Sequence, residues 1–299
     1  HRFGVEQRGE LRQKSHNPHM LVMSATPIPR TLSLTIYGDL DISVIDEMPP
    51  HRQEVITRWL YPRERERAYA FIKGQLEQEH QAFIICPLVE ESEKTEAKAA
   101  TSEHERLQKD IFPRYNLGLL HGRLSGSEKE EVMTAFERGE YDILVSTSVV
   151  EVGIDVPNAT VMMVEGANRF GLAQLHQFRG RVGRGEHQSY CILLADSPTA
   201  QGEQRLQIIE ETSDGFALAE EDLKMRGPGE FFGTRQSGLP DLRVAKLSDV
   251  KVLEEAREAA LEIFEQDPWL EDEEHLLLAG QVARFWQSRY EEKNAGDLS

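Results

Sequence analysis

The sequence predicts an α/β fold: a three-layer domain on a mainly parallel sheet, followed by a helical hairpin, a glycine-rich loop and C-terminal helices. Three observations predict it. Short runs such as "QAFIICPLV" (Gln81–Val89) are apolar almost throughout, as strands buried on both faces are. Helical patterns of crossover length separate these runs. After Pro198 the strand-like runs stop and helical patterns replace them.

The elements follow in order. "HMLVMS" (His19–Ser24), "ISVIDE" (Ile42–Glu47) and "EVITRWL" (Glu54–Leu60) read as strands. "PRERERAYAFIKGQLEQEH" (Pro62–His80) reads as a helix with proline in its first turn. Gln81–Val89 is the next strand, and "EESEKTEAKAATSEHERLQ" (Glu90–Gln108) reads as a linker. "LGLLHG" (Leu117–Gly122) is a strand. The helix Ser125–Gly139 starts at a capping box of Ser125 and Glu128 and stops at Gly139. "DILVSTS" (Asp142–Ser148), "ATVMMVEG" (Ala159–Gly166) and "SYCILLAD" (Ser189–Asp196) are strands. "GLAQLHQFRGRVG" (Gly171–Gly183), helical at its start, precedes the last of them. Two helices broken at "SDG" fill Gln201–Met225. The glycine-rich stretch Arg226–Leu242 follows, and two acidic amphipathic helices span about Ser248–Gln266 and Asp272–Lys293.

The 299 residues suggest about two domains, and 39% hydrophobic with 29% charged residues suits a globular chain. No apolar run reaches the ~20 residues of a membrane helix, and "HRFGVEQRGE" has no signal-peptide core. Cys86 and Cys191, each in an apolar run, read as reduced core thiols. The formal charge of −18 argues against a nucleic-acid partner at first sight. Half of it, however, comes from Asp249–Ser299, where fourteen acidic residues face five basic ones. Basic patches elsewhere are compatible with that balance.

One such patch is "QFRGRVGRG" (Gln177–Gly185). Arginine's planar fork donates bidentate hydrogen bonds to phosphate and stays charged. Arg181 and Arg184, three residues apart, could share one helical face, and Gly180 and Gly183 would keep that face low. "VSTS" at a strand end offers small hydroxyls and amides to a nucleic-acid phosphate. His121 and Gly122 close another strand.

From His121 to Gly185 the chain resembles the second motor domain of superfamily 2 helicases, a RecA-like fold. Gln177, Gly180, Arg181, Gly183 and Arg184 meet the sixth motif of that superfamily, Q-x-x-G-R-x-G-R. "STSVVEVGIDVP" meets the fifth, with Thr147, Gly153 and Asp155 in place. "SATPIPRTL" resembles the third motif, with Ser24, Ala25 and Thr26 coupling ATP to DNA. The resemblance implies that Arg181 and Arg184 stabilise the transition state of phosphoryl transfer. It implies that Gln177, Gly153 and Asp155 contact nucleotide, and that Thr147, His121 and Gly122 border the DNA groove.

"DGFALAEEDLKMRGPGEFFGTRQSG" (Asp214–Gly238) is similar to the duplex-gripping segment shared by the RecG family and the transcription-repair coupling translocases. "RGPGE" and "GTRQSG" stand in the RecG form. Arg226, Thr234, Arg235 and Gln236 are then implied DNA contacts. The resemblance covers nearly the whole chain, most weakly at Glu90–Gln108 and the last fifty residues.

The 299 residues contain no G-x-x-x-x-G-K-[ST] phosphate loop, and no Asp–Glu pair precedes "HRFGV". ATP and Mg2+ are therefore expected to be held mainly by residues outside this sequence, with no metal site within it. The chain reads as the C-terminal part of a longer enzyme and is expected to be inactive alone. The expected parts are a first-motor remnant (1–49), a second motor domain (50–197), a translocation segment (198–243) and an acidic tail (244–299). The resemblance implies a cytoplasmic, monomeric ATP-dependent translocase that remodels branched double-stranded DNA. A coupling translocase and a non-hydrolysing DNA-binding module are the alternatives.

Overall fold

A computed structural model describes residues 21, 23, 43–49, 52–86, 93–148, 155–196, 198–226 and 250–296. The described residues divide between two compact units, one ending at residue 226 and the other holding 250–296.

The first unit is built on six parallel strands in the order β1-β6-β5-β2-β4-β3. These are β1 (Ile56–Leu60), β2 (Gln81–Ile85), β3 (Leu117–Leu120), β4 (Ile143–Ser146), β5 (Ala159–Val164) and β6 (Tyr190–Leu194). Parallel neighbours need crossovers. Helices α1 (Arg65–Leu76), α2 (Glu93–Arg106), α3 (Gly126–Glu137) and α4 (Leu172–Arg179) lie within four of them. Strands β2, β4 and β5, which sit inside the sheet, are buried at every residue. That explains their unbroken apolar runs.

Alternation along the strands builds two cores. On one face Phe83, Leu144, Met162 and Cys191 meet α3 through Phe136 and α4 through Leu175 and Phe178. Helices α5 (Ala200–Glu211) and α6 (Gly215–Arg226) join the same core through Leu206, Ile209 and Leu218. On the other face Ile84, Val145, Met163 and Ile192 meet α1 through Tyr69 and Ile72. The three layers expected from the sequence are therefore present.

Local signals act as read. Ser125 Oγ accepts from Glu128 N at 3.3 Å, and Glu128 Oε2 accepts from Ser125 N at 2.7 Å. Those bonds hold the Glu128 carboxyl below its usual range. Gly139 takes φ +76° just past α3, a conformation open to glycine. Cys86 and Cys191 are buried, and burial pushes both thiols up to about 12.

Two expectations fail. The expected linker contains α2, which continues into a π-helical turn at Leu107–Ile111. Ala97, Ala100 and Leu107 are buried under its polar exterior. Arg106 donates to Tyr69 Oη at 2.8 Å, and a ring nitrogen of His104 lies 3.0 Å from the Leu117 carbonyl. Within the expected strand Ile42–Glu47, the described residues 43–47 form no strand, and Ile45 is 89% exposed. An apolar alternation without a neighbouring strand has no ladder to join.

The second unit contains α7 (Val250–Gln266) and α8 (Leu276–Gly296). Between them Asp267 accepts from the amides of Glu271 at 2.9 Å and Asp272 at 3.0 Å. A ring nitrogen of His275 lies 3.0 Å from Asp267 Oδ2.

Candidate functional site

The arginine-rich segment begins where α4 ends. Arg179 is the last helical residue, and the chain then turns with Arg181 N bonded to Phe178 O at 3.0 Å. Arg181 and Arg184 therefore lie beyond the helix and not on one helical face. Val182 is fully buried and pins the turn to the core. Gly183 follows with φ +74°, and a Cβ there would sit 2.7 Å from Val55 Cγ2. A Cβ on Gly185 would come within 2.5 Å of the Pro157 carbonyl oxygen. These two glycines let the segment press against the residues entering β1 and β5, a packing requirement rather than a low surface for ligand.

This packing orients Arg184. Its Nε donates to Gly180 O at 2.9 Å, and its Nη1 lies 3.2 Å from Asp155 Oδ1. Arg52 Nε donates to Gly183 O at 2.7 Å and holds the same turn from the strand β1 side. Gln177 and Arg181 are half-buried on the approach to the turn.

Arg179 has a different position. It is 4% exposed, and its Nη1 donates to Ile209 O at 2.9 Å and Thr212 O at 2.8 Å. Its Nη2 donates to Ser213 O at 3.3 Å and lies 3.0 Å from His176 Nδ1. Burial, reinforced by the neighbouring Arg179 charge, pushes His176 down to about 4, so its neutral ring can accept that bond. Arg205 of α5 donates to Asn168 O at 3.4 Å and Phe170 O at 3.0 Å.

The remaining described candidates gather at the other edge of the sheet. His121 and Gly122 follow β3, and Thr147 follows β4 with its amide donating to Leu120 O at 3.1 Å. Thr147 is 2% exposed. Its Oγ1 and the Nδ1 of His121 are buried without a hydrogen-bond partner among the described residues. His121 also lines a cleft with Ala97, Lys98, Thr101 and Arg123. Unsatisfied buried polar atoms next to two cations suit an acceptor-rich anion such as a phosphodiester.

The candidates thus form two groups. His121, Gly122 and Thr147 stand at carboxyl ends of strands, whereas Asp155 and Arg184 stand where β5 and β6 begin. Strands of this length separate such edges by about 15 Å. Glu165, just past β5, is 6% exposed and accepts from Arg65 Nε at 3.1 Å and Nη2 at 2.8 Å. The Tyr69 hydroxyl reaches it at 3.4 Å. Arg226 closes α6. Gly153, Thr234, Arg235, Gln236, Ser24, Ala25 and Thr26 lie outside the described residues.

Sequence reasoning missed Arg179, Arg205 and Lys98 as participants in this arrangement. Nothing in the local sequence tells the buried Arg179, whose partners include distant carbonyls, from the half-buried Arg181. Lys98 was read as part of a linker.

The fold and the arginine-bearing turn define a second motor domain of the helicase type. Residues 64–186 match the helicase conserved C-terminal domain. Residues 212–290 match ATP-dependent DNA helicase RecG, domain 3, C-terminal. The chain is 56% identical to the ATP-dependent DNA helicase RecG of Synechocystis, over 91% of this chain and 33% of that protein. It is 50% identical to that of Bacillus subtilis, over 95% of this chain and 42% of that protein. The solved structure of RecG bound to a three-way DNA junction matches with a TM-score of 0.63 and 46% identity. That match covers 80% of this chain and 32% of that one. The chain is strongly homologous to the C-terminal part of these RecG helicases. It spans about a third to two fifths of the relatives' length.

Proposed function

We propose that this chain is the C-terminal motor half of an ATP-dependent double-stranded DNA translocase that remodels branched DNA. The reading includes the four-part division at 49/50, 197/198 and 243/244. The observation that carries it is the opposition of two sites on one rigid sheet. Arg184 is offered beside Asp155 at the amino edge, while at the carboxyl edge His121 and Thr147 carry polar atoms that meet no hydrogen-bond partner among the described residues. A rigid body between a nucleotide site and a DNA site can move one when the other closes.

In this reading Arg181 and Arg184 supply positive charge to a triphosphate, and Gln177, Gly153 and Asp155 sense it. The donor set fits: Arg184 is partly exposed, and its ion-pair partner is an exposed carboxylate that phosphate oxygens could replace. ATP hydrolysis is the energy source of the motor. Among the described residues no metal-ligand cluster lies beside Arg184. Among the described residues the one candidate group is Asp267, Asp272 and His275 in the second unit, where Asp267 already accepts two backbone amides. In this reading the triphosphate and its metal are held by residues outside these 299, and the chain alone is inactive.

His121, Gly122 and Thr147 contact the DNA backbone. Arg226, Thr234, Arg235 and Gln236 grip duplex beyond the motor, and Ser24, Ala25 and Thr26 link the two activities. The family likeness supports a monomeric, cytoplasmic enzyme. The DNA preference is tested with a full-length protein carrying this segment, by comparing ATP-dependent strand separation on a three-way junction and on linear duplex. Separation of the junction supports the reading. Tight DNA binding without ATP hydrolysis would favour a non-hydrolysing DNA-binding module.

A further inference from the structure

Lys98 belongs to no motif. It lies within Glu90–Gln108, where the resemblance to helicases is weakest, and it stands on the exposed side of α2. The other side of that helix is fixed. Ala97 and Ala100 are buried, Arg106 donates to Tyr69 Oη at 2.8 Å, and a His104 ring nitrogen lies 3.0 Å from the Leu117 carbonyl. Lys98 is therefore presented by a helix whose position the core sets. Residues three and four places from it are Lys94, Thr95, Thr101 and Ser102. No carboxylate stands at the spacings that would neutralise it within the helix.

Ala97, Lys98 and Thr101 line a cleft together with His121 and Arg123 from the turn after β3. Two bonds hold that turn. Leu124 N donates to His121 O at 3.2 Å, and Lys129 Nζ donates to Gly122 O at 3.0 Å. Arg123 is exposed, and neither it nor Lys98 has an ion-pair partner among the described residues. Thr101 Oγ1 donates to Ala97 O at 2.8 Å, which leaves the ammonium and the guanidinium as the charged donors of the cleft. Two cations lining one cleft repel unless an anion lies between them. The cleft, about 550 Å³ and open to solvent, admits a phosphodiester with its flanking sugars. We propose that Lys98 and Arg123 together hold one phosphodiester of the DNA backbone, which carries the DNA-binding surface of this domain onto α2. It rests on the translocase reading, which makes duplex DNA the polyanion. Such a contact reads no base and fixes the register of the duplex on the motor.

Duplex binding by a full-length enzyme carrying this segment, followed by fluorescence anisotropy over a salt series without ATP, tests the contact. The double variant Lys98→Ala with Arg123→Ala should lower the salt slope by about one unit and weaken binding about tenfold at moderate salt. Lys98→Arg, which keeps the charge, should keep the wild-type slope. Duplex should slow hydrogen exchange of amides 97–106 in the wild type and not in the double variant. An unchanged slope, with wild-type binding intact, would overturn the inference and leave the translocase reading standing. A wild-type enzyme that binds no duplex would remove both. Protection of 97–106 by tripolyphosphate but not by duplex would also overturn it, making the cleft a site for a free phosphate compound. Both side chains are exposed, so the double variant should keep the wild-type urea midpoint. A lower midpoint with faster exchange throughout the sheet would make them residues of the fold and overturn the contact.

Discussion

Arg184 and Asp155 meet at 3.2 Å, one from the turn before β6 and the other from the segment entering β5. The pair is open to solvent, with side-chain exposures of 28% and 60%. Such pairs contribute at most about 1 kcal/mol. In the proposed motor reading its value lies in aiming Arg184. Asp155→Asn should change the urea-unfolding free energy by no more than about 0.5 kcal/mol. ATP turnover in a full-length enzyme should nevertheless fall about tenfold, because a misaimed cation loses transition-state charge stabilisation. Normal turnover would mean that the pair only decorates the surface.

The His176–Arg179 contact gives stability a pH dependence. Burial holds His176 near 4, below the value of about 6.5 for an exposed histidine. A group depressed in the folded state is protonated preferentially in the unfolded chain as pH falls. Its contribution to stability is complete above about pH 6.5 and is lost progressively down to about pH 4. Urea midpoints at pH 7 and pH 5 should differ, and His176→Gln should shrink that difference. Identical pH dependence in the variant would place the sensitivity elsewhere.

Glu165 supplies a stability test remote from the motor residues. Its carboxylate is almost completely buried and relies on Arg65 and Tyr69. Arg65→Ala leaves that charge without its cation, and because Arg65 is itself 35% exposed the cost should be about 2 kcal/mol, less than for a fully buried pair. Replacing both, Arg65→Met with Glu165→Leu, should recover most of the loss. Equal destabilisation in single and double variants would show that packing, not charge, is at issue.

The strands that carry the sheet were legible because parallel strands buried on both faces must be apolar throughout, as β2 and β5 are. The start of α3 was legible because a capping box is a local device. Helix α2 was not, because its buried side is made of Ala97 and Ala100, which add little apolar periodicity to a charged segment. Arg184 and Asp155 could be named from motif resemblance alone. The burial of Arg179 could not, since three of its partners stand at least thirty residues away and are backbone carbonyls of no particular sequence. The meaning of Gly183 and Gly185 also needed the fold, because their neighbours Val55 and Pro157 come from other loops.

In the proposed reading the glycine-rich stretch Arg226–Leu242 couples hydrolysis to movement. Arg235→Ala in a full-length enzyme is expected to leave DNA-dependent ATP turnover within a few-fold of normal while fork unwinding falls far more. Loss of one phosphate contact should also reduce the salt slope of duplex binding by about one unit. A proportional fall of turnover and unwinding would remove the coupling role from this loop.

Single-turnover ATP hydrolysis on branched DNA by Arg184→Ala, in a full-length enzyme, tests the motor assignment most directly. An arginine that stabilises the transition state should lower the rate about a thousandfold when removed, while ATP affinity changes much less. A variant that binds ATP weakly but hydrolyses it at the normal rate once saturated would contradict the assignment, leaving Arg184 a ground-state contact.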